Sequence, residues 1–266
     1  MSAIPERLAG RAVILTGASR GIGAEIARRL AAEGARLLLT AAPGEDALLA
    51  TVAADCRAAM IHLADLADPA TSTTLAKLCM ERFGTIDAVV NNAALHAPGG
   101  VADVALDQWD YALRVNLGAA MLLSQAVLPE MRKRRQGSIV NIGSQRGFAS
   151  GHGEAAYESS KGGLMALTRS LAVDYGPENV RSNCISPGFI LSERAQDWMD
   201  EVPNREMAMR AAIALRRPGR AAEVAGVVAF LLSEDASYIN GAVIPVDGGA
   251  LAGLPENAAL ALMEPK

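Results

Sequence analysis

The stretch TGASRGIG, at Thr16–Gly23, decides the fold of this chain. It follows the short apolar run Ala12–Thr16 and opens a helical pattern that continues to Glu33. Its glycines have the spacing Gly-x-x-x-Gly-x-Gly, and glycine lets a backbone turn sharply and approach a phosphate without a Cβ in the way. A helix that begins there offers free amides and a partial positive charge. The stretch therefore predicts a strand–turn–helix unit that binds the pyrophosphate of a dinucleotide.

Short apolar runs alternate with helical patterns along the rest of the chain. Strands are predicted at Ala12–Thr16, Arg36–Thr40, Ala59–Leu63, Ile86–Val90, Ser138–Ile142, Val180–Ser186 and Ala242–Val246. The longest predicted helices are Gly21–Glu33, Asp107–Arg135 and Glu154–Tyr175. This alternation indicates βαβ units, whose right-handed crossovers place helices on both faces of a parallel sheet. We predict an α/β fold with one Rossmann-like, doubly wound parallel sheet of about seven strands.

The predicted organisation is one catalytic domain and a short tail. No repeat or linker divides the chain, so one domain is expected over residues 8–251. Its least regular and most variable part is about 189–218, and residues 252–266 form the tail. The tail is too apolar for a free end, and we expect it to pack on a neighbouring subunit.

The composition excludes several classes of protein. The chain has 266 residues, a net charge of −4 and three widely spaced cysteines. This charge argues against a broad nucleic-acid surface, and the cysteine spacing predicts neither a metal site nor a disulfide framework. The first residues lack a basic region followed by an apolar run, and no continuous apolar stretch suits a membrane span. We expect a cytoplasmic protein that binds neither nucleic acid nor membrane.

Residues in the glycine loop and after the second strand are expected to select the nucleotide. The loop residues predicted to contact it are Gly17, Ser19, Arg20, Gly21, Ile22 and Gly23. Thr40 and Ala41 should lie beside the adenosine ribose, where an acidic residue would bond the 2′-hydroxyl of NAD. Alanine stands there instead, and Arg20 can pair with a 2′-phosphate or simply face solvent. The pattern favours NADP over NAD.

Two further turns should meet at the same edge of the sheet. Asp65 can accept a hydrogen bond from the adenine amino group and Leu66 can cover the ring. An aspartate after a strand can equally serve as a turn or helix-cap residue. Asn92 and Ala93 follow the fourth strand, where asparagine side chains can bond across strands and fix the loop that faces the cofactor.

The stretch YESSK, at Tyr157–Lys161, lies thirteen residues after Ser144. A tyrosine four residues before a lysine puts both side chains on one face of a helix. The ammonium is expected to lower the pKa of the phenol, which is ordinarily about 10, toward the range that suits acid–base catalysis. Taken alone, this motif is also compatible with an ordinary helix surface.

Together, these motifs resemble those of the short-chain dehydrogenase/reductase family. The matching segments run in order over nearly the whole chain: TGASRGIG, NNAA at 91–94, Asn116 in RVNL, Ser144 in IVNIGS, Tyr157-x-x-x-Lys161 and Pro187-Gly188. The family often has glycine where this chain has Ala94. The resemblance implies an enzyme that transfers a hydride between NAD(P) and a CH–OH group.

The resemblance also implies the roles of individual residues. Tyr157 would exchange a proton with the substrate oxygen, and Ser144 would bond the same oxygen. Lys161 would lower the tyrosine pKa and bond the nicotinamide ribose, while Asn116 would hold a water that links the lysine to solvent. The nicotinamide would be lined by Pro187, Gly188, Ile190 and Ser192.

A homotetramer is implied as well. The helices Asp107–Arg135 and Glu154–Tyr175 would form one of its two-fold interfaces. The small residues of the second helix could instead pack within the chain.

Substrate contacts are expected from residues 95–99, 145–154 and 189–215, the last forming a mobile lid. The candidate residues are His96, Ser144, Arg146, His152, Tyr157 and Trp198. Such groups can bond a sugar or polyol, or a carboxylate through Arg146, although Arg146 and Glu154 can also pair with each other. The main hypothesis is therefore a dehydrogenase or reductase of a small secondary alcohol or ketone. The alternatives are a 3-oxoacyl-(acyl-carrier-protein) reductase and a dinucleotide sensor or scaffold without turnover.

Overall fold

The computed structural model describes residues 6–192, 195, 199, 201 and 203–253. Within them, seven strands form one parallel sheet in the order β3-β2-β1-β4-β5-β6-β7. The strands are β1 Ala12–Thr16, β2 Arg36–Ala41, β3 Ala59–Leu63, β4 Ala88–Asn91, β5 Gly137–Ile142, β6 Val180–Pro187 and β7 Val243–Val246. The strand order reverses direction between β1 and β4, and this reversal opens a crevice at their carboxyl ends. The predicted fold class is confirmed.

Helices cover both faces of this sheet. They are α1 Gly21–Ala32, α2 Asp46–Ala54, α3 Pro69–Phe83, α4 Leu106–Leu113, α5 Ala119–Arg134, α6 Ala155–Tyr175, α7 Arg205–Ala212 and α8 Ala221–Leu232. Alternate residues of β1 enter opposite cores: Val13 and Leu15 pack with α1 and α8, whereas Ile14 packs with α3 and α5. Burial on both faces explains why these strands are apolar throughout rather than alternating.

The predicted long helix Asp107–Arg135 is interrupted in the structure. A π-helical turn at Arg114–Gly118 separates α4 from α5. By length and composition, the whole stretch Leu106–Arg134 is apolar enough to cross a membrane, but 44% of its most apolar window is buried within the fold. Core helices commonly meet the same criterion, so the stretch gives only weak grounds for a membrane span. Its α5 part packs against α3.

Most predicted boundaries agree with the structure to within two residues. The fourth strand begins at Ala88 rather than Ile86, because Asp87 lies at the junction and its carboxylate accepts from the amide of Ala12 at 2.8 Å. Trp198 and the tail residues 254–266 lie outside the described residues. The predicted domain limits, 8–251, stay a prediction.

Candidate active site

The glycine loop places the amino end of α1 at the carboxyl edge of the sheet. Arg20 has extended backbone dihedrals before the helix, and its side chain does not cap the helix amides. The first turn of α1 contains no acidic residue. Gly21 has φ +55°, and a Cβ added there would meet open space. This end of the helix therefore fits the pyrophosphate of a dinucleotide, as the sequence predicts.

Close packing behind the loop explains its other glycines. A Cβ on Gly23 would lie 1.9 Å from the carbonyl oxygen of Gly17. The amide of Asn92 donates to that same oxygen and to the carbonyl of Thr16, both at 2.9 Å. The backbone amide of Ala93 donates to Thr16 Oγ1 at 3.1 Å. Asn92 and Ala93 thus fix the glycine loop, and their place beside the cofactor stays a prediction.

The neighbouring asparagine makes the expected bond across strands. Asn91 donates to the side chain of Asn141 on β5 at 2.8 Å, and Asn141 donates to Thr168 on α6 at 2.9 Å. This buried network joins β4, β5 and α6 beneath the site. Ala94, which replaces the usual glycine, is exposed, so its methyl group has room.

The end of β2 carries a contact that the sequence analysis missed. Thr40 and Ala41 are buried there, and their place beside the ribose stays a prediction. Arg20, however, forms an ion pair with Glu45, and the hydroxyl of Ser19 donates to the same carboxylate. Arg20 is therefore not simply a solvated loop residue. The turn signal Pro43-Gly44 immediately before Glu45 was the only indication in the sequence that the chain turns back here.

Asp65 acts as a turn residue, which is the alternative that the sequence left open, and its contact with adenine stays a prediction. Its Oδ1 accepts from the amide of Ala67 at 2.9 Å and from the hydroxyl of Tyr111 at 3.3 Å. Burial, followed by the nearby Asp65 carboxylate, raises the pKa of Tyr111. Leu66 is half-buried against the core between the sheet and α3. Tyr111, on α4, was not predicted from the sequence.

Ser144, Tyr157 and Lys161 converge just beyond the end of β5. Ser144 lies close enough to Tyr157 for its hydroxyl to lower the pKa of the phenol. Lys161 is 2% exposed, and its Nζ donates to the carbonyl oxygen of Ile142 at 2.7 Å. The same nitrogen lies 5.6 Å from the centroid of the Tyr157 ring. The one-turn spacing on α6 thus places the lysine and the tyrosine together, as the motif predicts.

The charges around Tyr157 differ from the expectation. Burial raises the pKa of Tyr157 above its ordinary value, and Glu154 adds to the increase. The hydrogen bond from Ser144 and the charge of Arg146 act in the opposite direction. Lys161 is itself so deeply buried that its pKa falls to about 8. The expected net decrease in the tyrosine pKa is therefore wrong for this structure, because burial outweighs the nearby charges.

Asn116 lies in the π-helical turn and connects two parts of the site. Its Oδ1 accepts from the amide of Leu95 at 2.9 Å, and its Nδ2 donates to the carbonyl of Leu95 at 3.0 Å and to Ser160 Oγ at 3.1 Å. Ser160, which the sequence analysis did not select, donates to the carbonyl of Tyr157 at 2.6 Å. Asn116 thus ties the loop after β4 to the catalytic helix. Its role in holding a water stays a prediction.

The segment after β6 follows the edge of the same crevice. The amide of Gly188 donates to Val246 O at 3.0 Å, and a Cβ on Gly188 would lie 2.6 Å from Asp247 Cα. Pro187 pairs with Val246 within the sheet, and Ile190 forms an isolated parallel bridge with Gly219. Ser192 is exposed and its hydroxyl accepts from the amide of Ala195 at 3.2 Å.

The predicted substrate residues only partly come together. The His96 ring stacks on that of Tyr157, with centroids 4.1 Å apart and planes 12° apart. Arg146 and Glu154 pair with each other at 3.5 Å, which is the alternative that the sequence left open. The Glu154 oxygen in this pair, Oε2, is buried, and among the described residues it has the ion pair with Arg146 but no contact of hydrogen-bond geometry. His152 is exposed, and Trp198 lies outside the described residues.

Comparison with known proteins gives the same assignment. The family model described as enoyl-(acyl carrier protein) reductase matches residues 17–250. Meso-2,3-butanediol dehydrogenase of Serratia marcescens is 36% identical over 92% of this chain and 96% of its own length. The 3-oxoacyl-[acyl-carrier-protein] reductase of Escherichia coli K12 is 34% identical over 90% of this chain and 97% of its own length.

A solved structure is equally similar. The proposed NAD(P)-dependent gluconate 5-dehydrogenase of Beutenbergia cavernae, with NADP bound at low occupancy, superposes with a TM-score of 0.86. It is 33% identical, and the match covers 94% of this chain and 100% of that one. The similar dehydrogenases and reductases act on CH–OH groups. The fold, the ordered motifs and these relatives agree that this chain belongs to the short-chain dehydrogenase/reductase family and is an oxidoreductase of CH–OH groups.

Proposed function

We propose that this enzyme oxidises, or forms by reduction, a small secondary alcohol that carries further hydroxyl groups. The observation that carries the proposal is the charged pair beside Tyr157: Arg146 Nε lies 3.5 Å from Glu154 Oε2, and both charges act on the phenol. Charged donors and acceptors form strong hydrogen bonds with hydroxyl groups. A second hydroxyl on the substrate, as in a polyol or sugar acid, would bond to this pair.

The residues at the end of β5 can carry out the acid–base part of the reaction. The bound nicotinamide would supply or accept the hydride, and the protein would provide position and electrostatics. Ser144 would donate to the substrate oxygen and hold it beside Tyr157. The phenol would give its proton to that oxygen during reduction, or take one during oxidation. Lys161 would stabilise the phenolate and bond the nicotinamide ribose.

A substrate panel tests this proposal. Purified protein is supplied with NAD or NADP and with matched compounds: meso-2,3-butanediol against 2-butanol, gluconate, a hexitol and an acetoacetyl carrier protein. Appearance or loss of the reduced nicotinamide reports turnover. We expect the diol or polyol to exceed the mono-alcohol in kcat/KM. Equal values for diol and mono-alcohol would contradict the role of Glu154. Nucleotide binding without turnover on any compound would support the sensor alternative.

The carrier-protein alternative is supported by the similarity to the E. coli 3-oxoacyl reductase but not by the basic run Arg132–Arg135. In the structure, Arg132 pairs with Glu178, Arg134 lies 2.8 Å from Asp87, and Arg135 donates to Pro177 O at 2.8 Å. This run ends α5 immediately before β5 begins, at the edge of the sheet opposite Tyr157. These arginines therefore stabilise the helix end rather than attract an acidic carrier to the site.

For the nucleotide, we propose NADP in preference to NAD. Ala41 offers no carboxylate to the ribose, and Arg20 lies in the glycine loop next to it. The replacement Ala41→Asp would accept from a ribose hydroxyl and repel a phosphate, so it should shift the kcat/KM ratio toward NAD. An unchanged ratio would place this residue away from the ribose.

We also propose a homotetramer in which α5 and α6 meet their symmetry mates. Leu117, Met121 and Leu167 line an apolar groove between these helices, and Met121 is 43% exposed. Gly163 approaches Leu117 of its own chain, so part of the small-residue stripe packs internally. Light scattering should give a tetramer mass, and Met121→Glu should reduce it. A monomer at micromolar concentration would contradict the proposal.

We propose a cytoplasmic location because the cysteines of the chain are free thiols. Cys56, Cys79 and Cys184 are free and buried, which is typical of proteins from reducing compartments. Fractionation of the source cells should recover the protein with cytoplasmic markers.

A further inference from the structure

The loop between β2 and α2 brings a carboxylate to the place where the nucleotide preference is decided. The amide of Ala18 donates to Thr40 O at 3.0 Å, which seats the glycine loop on the carboxyl end of β2. The amide of Glu45 donates to Ala42 O at 3.2 Å, closing a turn in which Gly44 has φ +89°. This turn directs the chain back toward the glycine loop, so that Glu45 stands at the start of α2.

Both oxygens of Glu45 are engaged by the loop. Oε1 accepts from the guanidinium of Arg20, and Oε2 accepts from the hydroxyl of Ser19. Ser19 is 5% exposed, whereas the Arg20 side chain is 68% exposed. The carboxylate is therefore bound by the buried serine and pairs with the exposed arginine.

The charges at this position cancel. Arg20 is the cation that the sequence offers to a 2′-phosphate, and Glu45 neutralises it at contact distance. A phosphate that arrives there must compete with the carboxylate for the guanidinium and also tolerate a negative neighbour. A 2′-hydroxyl meets neither difficulty, because it carries no charge and can donate to the carboxylate.

We propose that Glu45 weakens the preference of this enzyme for NADP, by occupying Arg20 and by repelling a 2′-phosphate. The residue stands four positions after the last residue of β2, so it is not the acidic residue expected at the strand end itself. It limits the NADP preference that Ala41 and Arg20 would otherwise produce. The inference rests on the proposed dinucleotide site, and it needs no knowledge of the substrate.

Binding measurements test it without turnover. Isothermal titration gives the dissociation constants of NADP and NAD, and of the fragments 2′,5′-ADP and 5′-AMP, for wild type and Glu45→Gln. This substitution removes the charge and keeps the size of the side chain. We expect the affinity for NADP and 2′,5′-ADP to rise about tenfold, and that for NAD and 5′-AMP to stay within about threefold. Thermal unfolding checks that the variant is folded.

Two further variants separate the possible causes. Asp46→Asn removes the same charge from the next residue, which is exposed, and it should change the affinity ratio by less than about twofold. Arg20→Gln combined with Glu45→Gln should abolish the gain for the phosphorylated ligands. The proposal would be overturned if Glu45→Gln left the ratio of NADP to NAD affinity unchanged, or if Asp46→Asn changed that ratio equally. If the double variant keeps the gain in affinity for NADP and 2′,5′-ADP, the claim that Glu45 acts by occupying Arg20 is wrong. If neither dinucleotide binds wild type, the proposed function fails instead.

Discussion

Lys161 should lower the stability of the fold at neutral pH, and the size of this effect follows from its burial. The side chain is 2% exposed and its pKa is lowered from 10.5 to about 8. Between these two pH values the unfolded chain binds the proton more strongly than the folded chain does. The penalty is therefore complete below about pH 8 and disappears as the pH rises toward 10.5. A difference of this size corresponds to about 3 kcal/mol.

The variant Lys161→Met removes the titrating group and keeps an apolar stem. Urea unfolding, followed by circular dichroism, gives the free energy of unfolding at several pH values. We expect wild type to gain up to about 3 kcal/mol relative to the variant between about pH 7 and about pH 10. Lys77→Met is the matched control, because Lys77 is 73% exposed and should show no such dependence. A constant difference between wild type and Lys161→Met across this range would refute the reasoning.

Two other outcomes follow from the site. Gly23→Ala puts a Cβ 1.9 Å from Gly17 O, so we expect the free energy of unfolding to fall by about 1–3 kcal/mol. Titration should also show weaker nucleotide binding. An unchanged nucleotide affinity would show that the glycine loop does not contact the nucleotide. Glu154→Gln should lower the Tyr157 pKa and move the rising limb of the pH profile for alcohol oxidation to lower pH, whereas Arg146→Gln should move it to higher pH. Shifts in the same direction would contradict this arrangement of charges.

The fold could be predicted because local patterns determine most of it. The β1 residues Val13, Ile14 and Leu15 are apolar without alternation, and the structure buries both faces of that strand. The interruption of the long helix at Arg114–Gly118 could not be predicted in this way. The residues before and after the π-helical turn both have helical patterns, so the interruption was not predicted, although Asn116 within it matches a motif.

The parts of the site that the sequence missed depend on contacts between distant segments. Glu45 meets Arg20 because a turn redirects the chain after β2, and Tyr111 on α4 meets Asp65 after β3. Neither contact has a fixed spacing along the chain. The direction of the Tyr157 pKa shift could not be predicted from the motif either. The spacing to Lys161 predicts proximity, whereas the rise in the pKa comes first from the burial of the phenol.

The central claim is that Tyr157 moves the proton while the nicotinamide carries the hydride. The most direct test is the rate of nicotinamide reduction by Tyr157→Phe, measured in a single turnover with the best alcohol of the panel. The variant removes only the phenol hydroxyl, so fold and nucleotide affinity should remain. The account predicts a loss of roughly 10²–10⁴-fold in rate. A rate within a few-fold of wild type, with nucleotide bound, would contradict it.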